Sequence, residues 1–221
     1  MKLKKGDLIW GLVLAAVVAF ISVPATHEVF MNFTAAHPYI SGFIKFAILA
    51  TLGELLAVRI TTKGWDRLPK GIIYRALIWG LLGALIVLVF EIYGSGVKGA
   101  QSKGLLLEGG GIIFALQVSV LLNTTFAPVL MGTHKMTDTY IDLKYQNPKE
   151  KITIGRIVKT IDWESFFSFV IFKTLPFFWI PAHTITFMLP PEYKVLFAAS
   201  LSLALGLILA VAKVKAQAKK A

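Results

Sequence analysis

The sequence predicts an all-α fold, a polytopic bundle of about six transmembrane helices with both termini on the cytoplasmic side. First, the chain of 221 residues is 56% hydrophobic and only 16% charged, with a mean hydropathy of +0.71. Second, its charges are gathered in short segments, and the apolar runs between them approach the ~20 residues that a helix needs to cross the hydrocarbon core. Third, runs such as LIWGLVLAAVVAFI do not alternate apolar and polar residues, which excludes a spanning β-barrel.

Six apolar segments follow one another along the chain. They cover residues 7–23, 39–61, 72–93, 105–131, 164–189 and 193–213. The longest connection, 132–163, is predicted to be a cytoplasmic loop, either fully solvated or with a short interfacial helix in TIGRIVKTIDW, where apolar residues recur at helical spacing. The chain then divides into an N-terminal helix with its outer loop (1–33), a bundle (34–213) and a basic tail (214–221).

The net charge of +11 fits a membrane topology. In the six-span arrangement the inner side holds eighteen lysines and arginines, whereas the outer loops hold only Lys98 and Lys103. This excess is the positive-inside pattern, and it places basic side chains beside anionic lipid headgroups. No folded basic domain lies between the apolar runs, so the expected partner is the lipid bilayer and not a nucleic acid.

The first apolar segment has two interpretations. MKLKK, an apolar run and SVPA together resemble a secretory signal peptide with a cleavage site after Ala25. We expect an uncleaved first helix instead. The chain has nineteen lysines, four arginines and no Arg-rich, Ser-rich presequence. This composition favours a bacterial cytoplasmic membrane over a mitochondrial inner or peroxisomal membrane.

Polar residues inside the apolar segments are candidates for function, because an ionisable side chain at membrane depth costs about 2.5–3.5 kcal/mol on insertion scales. Glu54 is the strongest candidate. Lys45, nine residues earlier, falls on the opposite face of the same helix and cannot pair with it. Lys45 is itself near a span end, where a lysine can snorkel to the interface. Gln117 and Asn123 either line a pathway or form interhelical hydrogen bonds.

The stretch FFWIPAHTITFMLPPEYK predicts an irregular helix. Pro181, like Pro176 just before it, removes a backbone donor, so the helix should kink or unwind. Such breaks require neighbouring polar groups, which His183 and Thr184 can supply. The kink either lines or gates a pathway, or only fits the packing of the bundle.

Enzyme motifs are absent from the sequence. None of the four histidines lies three or four residues from another, so no helical histidine pair for a metal exists. EGGGIIFA lacks the lysine of a phosphate-binding loop, and we interpret its glycines, like those of GLLGA, as helix-packing positions. We therefore predict no catalytic residue, no cofactor and no metal site.

Several stretches resemble one known family. AAHPYISGFIKFAILATLGELLAVRI, with Pro38 at its entry and the pair Gly53-Glu54, is similar to the first conserved helix of the Mpv-seventeen/PMP-twenty-two family of small integral membrane proteins. WDRLPKGIIYRALIWGLLGALIVLVFEIY resembles the next block, through Arg75, Gly80, Gly83 and Tyr93. The family's most recognisable signature is matched in the later half of the chain by Trp179, Pro181, Phe187, Pro191 and Lys194.

The resemblance spans residues 36–212, and this sequence differs from the family pattern at several positions. Glu54 stands where the family has aspartate, Thr186 replaces an asparagine, Lys194 replaces an arginine, and residues 1–33 are an addition. Family members occupy mitochondrial inner and peroxisomal membranes, and some are reported to form channels. The resemblance thus implies an integral membrane protein, and it supports this class more firmly than any transported molecule.

The sequence as a whole predicts a pore or a small-solute or ion pathway through a polar-lined bundle. A non-transporting protein that organises membrane or lipid is the alternative. A small solute or ion is the expected ligand, and a homo-oligomer is compatible with the pattern. The predicted lining and kink residues are Glu54, Gln117, Asn123, His183 and Thr184, with Trp179 and Pro181 shaping the kink.

Overall fold

The computed structural model describes the backbone of residues 3–66 and 68–218, which is helical and contains no strand. Eight helices follow in order. They are α1 (Lys5–Ser22), α2 (Pro24–Ala36), α3 (Pro38–Thr62), α4 (Ile72–Ser102), α5 (Gly111–Gln146), α6 (Ile154–Thr160), α7 (Trp163–Met188) and α8 (Pro191–Ala218). Helix α5 contains a π-helical section, Leu122–Phe126, and α7 contains a longer one, Phe166–Trp179. The side chains of the predicted basic tail lie outside the described part of the chain.

Five helices in the described residues are long and apolar enough to cross a membrane: α1, α4, α5, α7 and the part of α8 up to Ile208. The chain is therefore a helical membrane protein. Helix α3 is not one of the five, and it carries Lys45, Glu54 and Arg59. Its 25 residues nevertheless extend over about 37 Å.

One end of the bundle is marked by two ion pairs between antiparallel helices. Asp7 at the start of α1 pairs with Arg59 at the end of α3, at 2.5 Å. Arg75 at the start of α4 pairs with Asp138 in the later part of α5, at 2.9 Å. We call this the basal end. The opposite end, where α3, α5 and α8 begin, is the apical end.

Glycines let α3 approach its two neighbours closely. A Cβ atom on Gly83 of α4 would lie 2.5 Å from the carbonyl oxygen of Gly42, and one on Gly53 would lie 2.7 Å from the carbonyl oxygen of Ser202 in α8. The interpretation of GLLGA as a contact face is confirmed. The same interpretation of EGGG is wrong for Gly110 and Gly111, which face open space. Gly111 instead has a φ of 55°, where the chain turns into α5.

Several boundaries differ from the prediction, among them the start of the fourth span, which lies at Gly111 and not at residue 105. Residues 24–36, predicted as outer loop, form α2, and the third span continues to Ser102. The predicted loop 132–163 is wrong in its first half, because α5 continues to Gln146. Tertiary packing stabilises this extension, because Leu143 is buried against Ile157 of α6 and Ile161. The hydropathy of the segment alone does not predict such contacts. The short helix predicted in TIGRIVKTIDW is present as α6.

The proline-rich stretch remains helical where the sequence predicted a kink or unwinding. Pro176 lies inside the π-helical section of α7, and Pro181 lies just after it. π-Helical turns shift the hydrogen-bonding register, so they accommodate a residue that lacks an N–H. The irregularity predicted from the prolines is therefore present as a change of helix type.

Candidate functional site

Three helices bring polar side chains together near the basal end. Glu54 comes from α3, Arg75 and Trp79 from α4, and His134 and Asp138 from α5. The two residues from α4 are four apart, as are the two from α5, so each pair lies on one helical face. We call Glu54, His134 and Asp138 the basal cluster.

The basal cluster is tightly arranged around the imidazole of His134. The indole N–H of Trp79 donates to Glu54 Oε1 at 2.8 Å, and His134 Nε2 lies 3.6 Å from the same oxygen. On the other side of the ring, His134 Nδ1 lies 3.7 Å from Asp138 Oδ2. One ligand atom from each cluster residue lies within 4.8 Å of the others. The rings of Trp79 and His134 are 4.1 Å apart.

Arg75 orients the acidic side of the cluster. Its guanidinium is buried and lies 2.9 Å from Asp138 Oδ1 and 2.5 Å from Asp142 Oδ1. In their ionised forms Glu54, Asp138 and Asp142 carry three negative charges against the one positive charge of Arg75. The site therefore has an excess of negative charge when His134 is neutral.

A cavity of about 50 Å³ lies in the bundle core. Asn123 and His183 line it, with Asn123 Nδ2 3.0 Å from His183 Nδ1. The indole N–H of Trp179 is enclosed and has no hydrogen-bond partner among the described residues. A water molecule needs about 10–15 Å³ of space for its centre, so the cavity has room for a few waters but not for a metabolite.

An open groove of about 430 Å³ lies at the apical end. Its charged lining comprises Lys45, Glu91, Glu192 and Lys194. Phe90 lines both this groove and the core cavity, whereas Trp79 lines the core cavity and contacts the basal cluster. Phe90 is thus shared by the groove and the cavity, and Trp79 connects the cavity to the basal cluster.

The predicted lining residues do not lie together in one place. Glu54 is in the basal cluster, and Asn123 and His183 line the core cavity. Thr184 does not line it; its hydroxyl donates to the carbonyl of Ile180 in its own helix. Gln117 lies apart from both, because its amide donates to the carbonyl of Leu107 and accepts from Gln101.

The signature residues are similarly divided. Trp179 lines the core cavity, and Lys194 lines the apical groove. Phe187 is buried with its ring 4.8 Å from that of Phe90, a packing role. Pro191 is the first residue of α8. These residues therefore do not form one site.

Lys45 does not snorkel, contrary to the prediction. Its side chain is buried, with Nζ donating to Thr34 Oγ1 at 3.1 Å and lying 4.6 Å from the centre of the Phe30 ring. Both partners belong to α2, which the sequence predicts as a loop. The lysine is enclosed because α2 folds back over it.

Sequence reasoning missed two of the three residues of the basal cluster, His134 and Asp138. The sequence predicts His134, Asp138 and Asp142 in a loop, and no second histidine lies three or four residues from His134 to indicate a metal site. Their spacing of four residues was a usable signal, because it places all three on one face of any helix. Trp79 and Phe90 gave no comparable signal, since aromatic residues in an apolar span usually indicate packing.

Together, these features define a helical membrane protein whose core contains polar sites in series. Comparisons of the chain with protein-family models, with curated proteins and with solved structures find no match.

Proposed function

We propose that this chain conducts a small cation across the membrane through the core of a six-span bundle, and that the structure is its closed state. One observation carries the proposal: the apical groove, the core cavity and the basal cluster lie in series. Phe90 lines both the groove and the cavity, and Trp79 lines the cavity and donates to Glu54 in the cluster. In the proposal these two side chains are the barriers between the three sites. A pathway for a small species would open when these two side chains rotate.

The size of the core cavity supports an ion or water-sized permeant. About 50 Å³ accommodates a few waters or one largely dehydrated ion. A pathway for larger solutes would require the helices to separate, and the glycine contacts of α3 oppose that separation. The proposed permeant is therefore an ion or a water-sized species, a smaller range than the small solutes and ions predicted from the sequence.

The charge of the site supports a cation. The basal cluster presents carboxylates in excess of the Arg75 charge, and a partly buried anionic site attracts cations strongly because screening by water is weak there. In the core cavity, the Asn123 amide offers an oxygen that can replace part of a hydration shell.

In this proposal α3 is the sixth span, and the basal end faces the cytoplasm. Helix α3 packs against α4 and α8 through its glycines, so it crosses the membrane if they do. Basic residues concentrate at the basal end, for example Lys63, Lys70 and Lys144, which is the cytoplasmic pattern. The bacterial cytoplasmic membrane and the resemblance to the Mpv-seventeen/PMP-twenty-two family are parts of the same proposal.

Ion flux through proteoliposomes tests the proposal. Phe90→Ala removes the barrier between groove and cavity, so it should raise cation efflux from preloaded vesicles at least several-fold over the unmodified protein. Phe177→Ala is the matched control, because Phe177 is also in the helical bundle but is 80% exposed. Equal cation efflux from vesicles with Phe90→Ala, with Phe177→Ala and without protein would reject a pathway past Phe90.

The lipid-organising alternative is favoured by a different feature. An apolar groove of about 650 Å³ runs between α1, α2 and α3, and Lys45 is the charged residue in its lining. An anionic phospholipid could place an acyl chain on Val17, Phe20 and Ile48 and its phosphate near Lys45. Retention of such a lipid that is lost in Lys45→Met, without any ion flux in the preceding experiment, would support this second candidate.

A further inference from the structure

We infer that the basal cluster binds a divalent transition-metal ion of the Zn²⁺ or Mn²⁺ type. This inference deepens the proposed function by naming its cation. It rests on that proposal for the passage of the ion, but not for its binding.

The donor set fits this class of ion. Glu54 and Asp138 supply carboxylate oxygens, and His134 supplies an imidazole nitrogen, with one such atom from each lying within 4.8 Å of the others. Imidazole together with carboxylates suits zinc, manganese and iron, whereas Mg²⁺ and Ca²⁺ prefer sites made only of oxygen. His134 therefore shifts the expected selectivity from alkaline-earth to transition-metal ions.

His134 also has an unused lone pair or proton in this arrangement. Its Nε2 atom is enclosed and makes no hydrogen bond, although Glu54 Oε1 lies 3.6 Å away. A buried polar atom without a partner is unfavourable by about 1–3 kcal/mol unless something else satisfies it. A metal ion between the imidazole and the carboxylate would satisfy both groups.

Charge provides a second and independent argument. Three carboxylates face one guanidinium around this site, and no other lysine or arginine among the described residues forms an ion pair with them. Like charges held close together in a partly buried site repel each other unless they are balanced. One divalent ion would balance the excess.

The geometry requires one carboxylate to move, because the two carboxylates lie against different nitrogens of the imidazole. Atoms bound to one ion at about 2.1 Å lie about 3–3.5 Å from each other. The observed separations of 3.6 and 3.7 Å on the two sides of the imidazole are slightly larger. Because His134 can use only one nitrogen for a given ion, one carboxylate must move around the ring. Rotation of the Glu54 side chain, which is a quarter exposed, can supply that movement.

Arg75 would act as a positioning residue for the site. It binds Asp138 through Oδ1 and leaves Oδ2 directed at His134. Its second carboxylate partner, Asp142, fixes the guanidinium in turn. Hydrogen-bonded groups behind metal ligands commonly hold them in the binding orientation, and their removal typically weakens metal affinity by about 10–100-fold.

Metal binding to the purified full chain in detergent tests the inference. Zn²⁺ is titrated in competition with a chromophoric chelator, and Mn²⁺ binding is followed by electron paramagnetic resonance. We expect one ion per chain that a hundredfold excess of Mg²⁺ does not displace. Glu54→Gln, His134→Gln and Asp138→Asn should each weaken binding by at least about tenfold. His27→Gln and His37→Gln, at histidines outside the cluster, should leave it unchanged.

The outcomes separate this inference from the proposed function. Absence of stoichiometric binding by the unmodified protein overturns the inference, and so does binding that survives both His134→Gln and Asp138→Asn. Binding lost only in the His27 or His37 variant also overturns it, because the ion would then lie elsewhere. Helical circular dichroism and monodisperse elution verify that each variant is folded. If the protein binds the metal ion but conducts no cation, the metal site is supported and the conduction pathway is rejected. If it conducts cations but binds no metal ion, the conduction pathway is supported and the metal site is rejected.

Discussion

At the scale of single residues, the adjacent pair Gly53 and Glu54 has two different roles. Gly53 faces α8, where its missing side chain permits backbone contact with Ser202. Glu54, about 100° further around α3, faces Trp79 and His134 instead. The sequence predicted that Glu54 is unusual because it is a carboxylate in an apolar segment without a same-helix partner. It could not identify the partners, because they come from residues 79 and 134 and meet Glu54 only through tertiary packing.

Asp162 gives a pH-dependent prediction outside the spans. Its carboxylate accepts the backbone N–H of Ser165 at 2.9 Å and so caps the start of α7. This hydrogen bond lowers the pKa of Asp162 below its usual value. A lowered pKa in the folded state stabilises the protein above the unfolded pKa of about 4, and the benefit is lost as pH falls through the lower folded value.

Thermal unfolding in detergent at pH 7 and at about pH 3 checks this prediction for Asp162. At pH 7 we expect Asp162→Ala to unfold at a lower temperature than Asp162→Asn, which keeps an acceptor oxygen, and the unmodified protein to be the most stable. The difference between the unmodified protein and Asp162→Asn should shrink at the lower pH. A difference that is equal at both pH values would mean that the charge of Asp162 does not contribute to the cap.

At the scale of helices, hydropathy predicted the apolar part of each long helix, but it did not predict the polar helical segments, namely α2 and the end of α5. Helix α2 was assigned to a loop because His27, Glu28 and Asn32 interrupt its apolar residues. The end of α5 was missed for the same reason: polar residues such as His134 and Asp138 have partners on α3 and α4, so the helix tolerates them. The length and composition of a segment do not indicate whether its polar side chains have partners on other helices.

Helix pairing between α3 and α4 depends on Gly83. A Cβ atom there would lie 2.5 Å from both the Gly42 carbonyl oxygen and the Phe46 Cβ atom, so Gly83→Ala should push the two helices apart. Overpacking of this kind typically costs about 1–3 kcal/mol. Gly96→Ala is the matched control on the same helix, since nothing lies within 4 Å of its Cβ position.

The free energy of unfolding of both variants can be compared in mixed detergent micelles. Gly83→Ala should be destabilised by about 1–3 kcal/mol, whereas Gly96→Ala should be unchanged or stabilised by up to about 1 kcal/mol through helix propensity. If the two variants have equal stability, the close approach at Gly83 does not limit packing.

At the scale of the whole molecule, the order of apolar segments and the distribution of basic residues carried most of the fold prediction. Each of the six predicted segments lies mostly within a long helix, in the predicted order, and five of those helices are long and apolar enough to cross a membrane. It could not predict which helices touch, since every span presents apolar side chains on all sides. For this reason Asn123 and His183 were candidates without a known relationship, and they meet only because α5 packs against α7.

The proposed topology makes one prediction for the whole molecule. The natural sequence contains no cysteine, so single cysteines introduced at Ser102 and Gln146 are the only thiols in each variant. Ser102 is exposed at the apical end of α4, and Gln146 is exposed at the basal end of α5. If α4 and α5 cross the membrane, these two positions lie on opposite sides of it. The excess of basic residues places Gln146 in the cytoplasm.

In intact cells a membrane-impermeant thiol reagent should label Ser102→Cys and not Gln146→Cys, whereas both should be labelled after permeabilisation. Labelling of both from outside would place the two ends of the bundle on one side and reject the crossing arrangement, and labelling of Gln146→Cys alone would invert it.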